Sequence, residues 1–317
     1  MKQIAIIGEC MIELNGQPFG HMHQTFGGDT LNAAVYLSRG SALNGDDQPI
    51  KTSFVTVMGT DPLSEGMIER WQQEGIDTSL VLRDDTRTPG LYLIQLDEQG
   101  ERTFLYWRNQ SAARYLVQHP GFASIEQSLK QVDMVFVSGI SLAILPDADR
   151  TQLMTLFSSL RQKGVEIAFD SNFRPALWPD DELETVKSDY RSMYQTTDLA
   201  LVTFDDEQTI WGDKTPNDTV NRLQALGVTK VVVKLGEKGC LVGEMNNNSY
   251  TVPTMPVESV VDTTSAGDSF NGGFLSCYLV GGSLKQSCQR GNALAGVVIQ
   301  HRGAIVTKSA TDVVTQK

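Results

Sequence analysis

Short apolar runs alternate with stretches of helical spacing along most of this chain. Ile4-Ala5-Ile6-Ile7-Gly8 is apolar without a break and ends in Gly, as a strand covered on both faces of a parallel sheet requires. Ser53-Phe54-Val55-Thr56-Val57, Met134-Val135-Phe136-Val137-Ser138-Gly139 and Val165-Glu166-Ile167-Ala168-Phe169 read the same way, as do Leu199-Ala200-Leu201-Val202-Thr203 and Lys230-Val231-Val232-Val233-Lys234. Helical periods fall between them: through Ala33, Ala34 and Leu37, from about Pro62 to Gly75 with Pro at a tolerated first-turn place, from Asp147 to Lys163, and a last one from Leu284 to Gln300. Strand and helix in alternation predict an α/β fold around a mostly parallel sheet.

Two stretches break the alternation. Residues 9–26 have no helical period, and Met11-Ile12-Glu13-Leu14 within them reads as a short strand exposed on one face. Gly90 to Leu96 and Arg102 to Arg108 flank the polar Asp97-Glu98-Gln99-Gly100-Glu101, which predicts a β-hairpin. Together they predict a small sheet apart from the main core. Residues 43–49 read as a solvent loop.

The chemistry concentrates in Asp262-Thr263-Thr264-Ser265-Ala266-Gly267-Asp268-Ser269-Phe270-Asn271-Gly272-Gly273-Phe274. Small residues open a helix here, and the first N–H groups of a helix lack acceptors and carry the positive end of its dipole. Ser265, Ala266 and Gly267 are too small to keep an anion away from them. Asp268 then stands in the first turn, placed to take a proton from an attacking hydroxyl during phosphoryl transfer. The same composition also suits plain capping of a helix. Near the other end, Phe26-Gly27-Gly28-Asp29-Thr30-Leu31-Asn32 precedes a helix; its glycines would let backbone approach a ligand, and Asp29 and Asn32 suit sugar hydroxyls.

On the hairpin, Tyr92, Tyr106, Trp107 and Arg108 gather aromatic rings and a guanidinium, with alternation sending Tyr106 and Arg108 to one face. A planar guanidinium matches two oxygens of a carboxylate or phosphate at once. Strand-loving aromatics and a solvated arginine would look the same. Asp170-Ser171-Asn172-Phe173-Arg174-Pro175 ends a strand, where ligands of open α/β sheets gather, although a local turn would also account for Asp170 and Asn172. No Gly-x-x-x-x-Gly-Lys-Ser/Thr loop is present, which excludes the commonest ATP cradle.

Asp-Thr-Thr-x-Ala-Gly-Asp-x-Phe-x-x-Gly resembles the C-terminal signature of the ribokinase-like (phosphofructokinase-B) sugar kinases, and Gly-Gly followed by Asn32 resembles their N-terminal sugar-binding signature. Many members carry Gly where this chain has Ser265, which makes the turn less permissive. The resemblance covers essentially the whole chain. It implies a three-layer α/β/α sandwich with a small β-sheet lid, the main unit spanning 1–8, 27–84 and 111–317 and the lid 9–26 and 85–110. Asp268 becomes the general base, and Ala266 and Gly267 part of an anion hole. The implied substrate set is Gly28, Asp29, Asn32, Tyr92, Tyr106, Arg108, Arg174 and Asp268. ATP would lie along Lys234, Gly236, Gly239, Ala266, Gly267, Asn292 and Ala295.

Tyr-x-Arg at 106–108 with Asn109, and Asp-x-Asn-x-Arg at 170–174, resemble the branch that phosphorylates the acid sugar 2-keto-3-deoxygluconate at its 6-hydroxyl. Arg108 and Arg174 would answer its carboxylate and the phosphates. Mg²⁺ would accompany ATP, held through water by Asp170 and Glu207, with room for a monovalent cation; Phe204 stands where the family often has Asn. A homo-oligomer formed through the lid is expected. A neutral-sugar kinase of the fructokinase or ribokinase type, with Arg108 dispensable, and a catalytically silent sugar-binding regulator are the alternatives. An intact Asp268 behind Ala266-Gly267 speaks against silence.

Composition narrows the setting. With 317 residues, 40% of them hydrophobic, the chain can bury a large core. Its net charge of −12 argues against nucleic acid. No apolar run nears the roughly 20 residues of a membrane span, and the N-terminus lacks signal-peptide features, so a cytoplasmic location is expected. Cys10, Cys240, Cys277 and Cys288 show no metal or redox spacing and read as reduced, buried thiols. His21, His23, His119 and His301 form no metal spacing.

Overall fold

The computed structural model describes residues 1–17, 19–41, 49–96 and 102–315. The expected turn at 97–101 and residues 43–48 of the expected loop lie outside them. The first third of the chain runs β1 (Lys2–Ile7), β2 (Met11–Gly16), β3 (Met22–Gly27), α1 (Asp29–Ser41), β4 (Ile50–Gly59), α2 (Pro62–Gln73), β5 (Val81–Asp84), β6 (Leu91–Leu96) and β7 (Arg102–Trp107). The middle continues with α3 (Phe122–Leu129), β8 (Met134–Ser138), α4 (Gly139–Ala143), α5 (Asp147–Gln162), β9 (Glu166–Asp170), α6 (Glu184–Thr196) and β10 (Leu199–Thr203). The last third contains α7 (Phe204–Trp211), α8 (Pro216–Ala225), β11 (Lys230–Lys234), β12 (Cys240–Glu244), β13 (Tyr250–Val252), α9 (Ala266–Tyr278), α10 (Leu284–Val298) and α11 (Lys308–Thr315).

Among the described residues, nine strands form the main sheet in the order β13-β12-β11-β10-β9-β8-β1-β4-β5. Pairing is parallel from β11 through β5 and antiparallel for β12 and β13. The alternation of side chains explains the unbroken apolar strands. Ile4 and Ile6 of β1 face a core shared with α1, α2, α9 and α10, while Ala5 and Ile7 face a second core shared with α3, α5, α6 and α8. Helices therefore cover both faces, in three layers.

The second sheet has the order β3-β2-β6-β7, with β2 parallel to β6 and the other pairs antiparallel. Contrary to the one-face expectation, Met11, Ile12 and Glu13 of β2 are all buried. Ile12 joins the main core, and Met11 packs with Tyr92 and Ile94. Three short strands, β5, β12 and β13, escaped the sequence reading because none carries a full apolar run. The last helix is α11 rather than α10. Among the described residues no helix is long and apolar enough to cross a membrane.

The helix that starts the phosphate-like signature, α9, lies between α1 and α10. Gly272 makes this possible: a Cβ there would come within 2.6 Å of Tyr36 Cβ and 2.8 Å of the Ala33 carbonyl. On the other flank, a Cβ on Gly273 would meet the Arg290 carbonyl at 3.1 Å. Two adjacent residues without side chains thus let two helices approach one. A Gly272→Val substitution should force α1 and α9 apart, destabilising the fold by about 1–3 kcal/mol as overpacking does. Urea unfolding measures this, and an unchanged midpoint would contradict the tight contact.

Candidate active site

The last turn before α9 carries its own constraint. Ser265 has φ 64 and ψ 15, the left-handed region that costs a residue with a side chain roughly 1–2 kcal/mol. Its hydroxyl offsets this by donating to Asp268 Oδ2 at 2.8 Å. No side chain caps α9. Ser265 and Asp268 therefore do not cap it; the Ala266 N–H, expected to face an anion, turns back to the Thr263 carbonyl at 3.2 Å, while the Gly267 N–H is left for a ligand. Asp262 instead accepts from the Thr264 and Gly303 N–H groups, fixing the loop that leads in.

Asp268 is buried, and Asn32 Nδ2 of α1 donates to the same Oδ2 at 2.9 Å. Both donors fall on one oxygen, which turns the lone pairs of Oδ1 toward the site. Burial, reinforced by the charge of Asp29, pushes the Asp268 pKa up to about 8, against the pull of the Asn32 and Ser265 hydrogen bonds. A carboxyl group with an affinity for protons near neutrality is suited to general base work.

Around it stand four charged residues, Asp29, Arg174, Lys234 and Asp170. Asp29, the first residue of α1, accepts from Asn172 Nδ2 at 2.7 Å and from Arg174 at 3.2 Å. Asn172 has a φ of 31, and its amide also reaches Ser138 Oγ at 3.1 Å, so it bridges β8, β9 and α1 rather than closing a local turn. Arg174 keeps about half its side chain exposed. Beneath, Lys234 Nζ donates to Asp170 Oδ1 at 3.1 Å and Asn271 Oδ1 at 3.3 Å, while Asn271 Nδ2 donates to Asp170 Oδ2 at 2.8 Å. A Cβ on Gly267 would lie 3.6 Å from Lys234 Nζ, so this buried ammonium adds positive charge under the N-terminus of α9.

The lid residues divide. Tyr106 is half exposed, and the charges of Arg108, Arg174 and Asp29 all reach its hydroxyl, whose pKa burial raises. Tyr92, expected to contact the ligand, is buried and its hydroxyl donates to Glu13. Arg108 is not the open cation expected on the hairpin. It follows β7 into the interior and forms a buried ion pair with Glu9. Gly28 lines a small cavity with these residues, but its missing side chain serves packing, since a Cβ would sit 2.2 Å from the Glu9 carbonyl.

The residues expected to border a nucleotide lie around the loops after β11 and β13 and on α10. Gly236 opens a short 3-10 turn after β11, and Gly239 closes it at φ 83, with a Cβ excluded by the Val252 carbonyl at 2.1 Å. Asn292 of α10 donates to the Val252 and Pro253 carbonyls, each at 3.3 Å, so its amide N–H₂ holds the loop after β13 instead of facing outward. Ala295 is partly buried against the core under α9 and α10.

Glu207 requires a correction. It is wholly buried, accepting from Tyr194 at 2.5 Å and Arg222 at 2.7 Å, and burial pushes its pKa up to about 7. It ties α6, α7 and α8 together from a position fully enclosed by them. Among the described residues no group of three His, Cys, Asp or Glu could hold a metal. A hydrated Mg²⁺ carried by phosphates needs only one or two carboxylates. Asp170 and the neighbouring Asp206 fit that need. Asp206 accepts from Ser171 Oγ and the Phe173 N–H at 3.1 Å, and burial raises its pKa. The sequence reading passed over Asp206 and Glu9; both lie just past the carboxyl ends of parallel strands, which is the signal that could have found them.

The pfkB family carbohydrate kinase profile matches residues 1–311. A Haemophilus influenzae protein named 2-dehydro-3-deoxygluconokinase is 56% identical over 311 residues, covering 98% of this chain and 97% of its own. A Dickeya dadantii protein of the same name is 46% identical, with 98% of each chain covered. The crystal structure of a Xylella fastidiosa fructokinase with bound ATP superposes with a TM-score of 0.82 at 21% identity, covering 99% of this chain and 98% of that one.

The raised pKa of Asp268 has a consequence for stability. Between about pH 4 and 8 the folded protein keeps a proton that the unfolded chain has released, so this residue destabilises the fold progressively as pH rises through that window. An Asp268→Asn variant, which has no such proton, should melt higher than the parent, with the gap widening from pH 5 to pH 8. Melting curves across that range test it; a constant gap would mean that Asp268 titrates normally.

Proposed function

The chain belongs to the pfkB family of carbohydrate kinases, and from that premise we propose that it transfers the γ-phosphoryl group of ATP to the 6-hydroxyl of 2-keto-3-deoxygluconate. That sugar is the 2-dehydro-3-deoxygluconate named in its Haemophilus and Dickeya relatives. The observation that carries the reading is Asp268: a buried carboxyl with a pKa near 8, one oxygen free, in the first turn of an uncapped helix.

Asp268 Oδ1 accepts the proton of the 6-hydroxyl as that oxygen attacks phosphorus. The N–H group of Gly267, with Lys234 behind it, meets the negative charge of the group in transit. Asn32 and Ser265 hold the carboxyl in place. Asp29 orients Arg174, whose half-exposed guanidinium answers the carboxylate of the sugar. Tyr106 covers the site from the lid, and water excluded there cannot compete as acceptor. Mg²⁺, when bound with the nucleotide, offsets phosphate charge; Asp170 and Asp206 are the residues that would hold its waters. Gly236, Gly239 and the Asn292-anchored loop border the nucleotide.

A neutral-sugar kinase is the second reading, and one observation favours it: Glu9 already neutralises Arg108. The deciding measurement is ADP release with Mg-ATP against 2-keto-3-deoxygluconate, its galactonate epimer, gluconate, fructose and ribose. The keto-deoxy acids should lead, and leadership by fructose or ribose would overturn the substrate. Arg174→Ala should raise KM for the acid sugar about 10-fold or more while sparing fructose. Asp268→Asn should lower kcat by about 100-fold or more; retained turnover would remove Asp268 as base. In the parent enzyme kcat/KM should fall as pH drops below about 8, since protonated Asp268 cannot accept.

The lid also exposes Phe104, Leu105 and Trp107. We propose that a second copy of the chain covers them. Light scattering should then report a dimer that Trp107→Glu dissociates, and a monomeric parent protein would refute this.

A further inference from the structure

Glu9 has no place in the scheme above, yet it is a charged residue enclosed where the lid joins the core. One oxygen of its carboxylate pairs with Arg108 Nη2. The other, Oε1, is buried, and among the described residues it has no hydrogen-bond partner. Arg108 Nε is buried and unpartnered in the same way. Leaving either group unmatched costs more than a neutral atom would, because charged groups lose the most when water is removed.

Both residues line a cavity of ≈ 20 Å³ together with Gly28, Asp29, Met11, Ile140, Ser141 and Ile144. Room for about one water, or one hydroxyl, is what such a volume allows. Apart from Arg108, no side chain of the walls brings a donor for Glu9. Met11, Ile140 and Ile144 are apolar, the Ser141 hydroxyl is given to the Ile7 carbonyl, and Asp29 is itself an acceptor. The Glu9 backbone is held fast, since its carbonyl packs where Gly28 has no side chain, and Gly90 leaves space for Oε1 itself. The two residues that carry this unmatched acceptor and donor thus line one hydroxyl-sized space that adjoins Asp29.

We infer that Glu9 is a specificity-determining residue of the sugar site, its Oε1 accepting a hydrogen bond from one hydroxyl of the bound acid sugar while its other oxygen holds Arg108. This rests on the kinase reading proposed above. The role differs from that of Arg174: the Glu9–Arg108 pair is neutral as a unit and reads a hydroxyl, leaving the carboxylate to Arg174. Any sugar that places a carbon or nothing at that point leaves the pair unsatisfied.

Steady-state kinetics of Glu9→Gln and Glu9→Asp with 2-keto-3-deoxygluconate test this. Glu9→Gln should raise KM for the sugar about 10-fold or more, with kcat changed less than about threefold and KM for ATP unchanged. Glu9→Asp, which keeps the charge but withdraws it by one methylene, should shift KM in the same direction and stay folded if the glutamine variant does not. In an Arg108→Gln background, calorimetric binding of the sugar should weaken further when Glu9→Gln is added, because Glu9 contacts the hydroxyl itself. No further loss there would reduce Glu9 to a support for Arg108 and overturn the inference, as would a KM within twofold of the parent in both single variants. Turnover by the parent enzyme reports separately on the proposed reaction, so failure of the one is distinguishable from failure of the other.

Discussion

The 2.9 Å hydrogen bond from Asn32 to Asp268 joins positions 236 residues apart, and the rest of the site is arranged around it. It requires α1 and α9 to lie within backbone contact, which Gly272 permits by having no Cβ to collide with Tyr36 and the Ala33 carbonyl. It also requires the chain to enter α9 through a left-handed residue, which Ser265 supplies at some local cost while returning a second hydrogen bond to the same carboxyl oxygen. The two signatures are thus halves of one contact. Packing brings the helix starts together, and the hydrogen bonds fix which oxygen of Asp268 faces outward.

Electrostatics follow from that burial. Asp29, Asp170, Asp206 and Asp268 are gathered at the carboxyl edge of the sheet, where mutual repulsion and loss of water raise the pKa of Asp206 and Asp268. Lys234 and Arg174 limit the repulsion, each bonded to one of these acids. Burial first, and the charge of Asp29 second, are what raise the affinity of Asp268 for a proton. A site of this kind is less stable than an apolar core and more useful.

The lid shows the same economy of contacts. Its β2 buries residues on both faces, Ile12 into the main core and Met11 beneath Tyr92, so the small sheet is anchored rather than hung on loops. Glu9 and Arg108 meet where the chain leaves the core for the lid and where it returns, and Gly90 packs against both. A charge pair enclosed at that junction links the position of the small sheet to the cavity beside Gly28 and Asp29.

Much of this was legible in the residues alone. The unbroken apolar runs of β1, β8 and β10 announce a sheet covered on both faces, because only such a strand can lose its polar alternation. The small residues before Asp268 announce a helix start that an anion can approach, but whether a side chain caps it was left to the structure, which shows none. Other features depend on what lies far away in sequence and near in space. Arg108 looks like a free cation on a hairpin until Glu9 is found beside it; Glu207 looks like a metal ligand until Tyr194 and Arg222 close over it. Asn172 resembles a turn residue until Asp29 receives its amide. Local sequence determined the elements and the chemical groups available, since backbone preference and side-chain period act over a few residues. Which of those groups are spent on one another, and which remain for a ligand, was decided by the tertiary structure, because hydrogen bonds and desolvation depend on neighbours that only folding supplies.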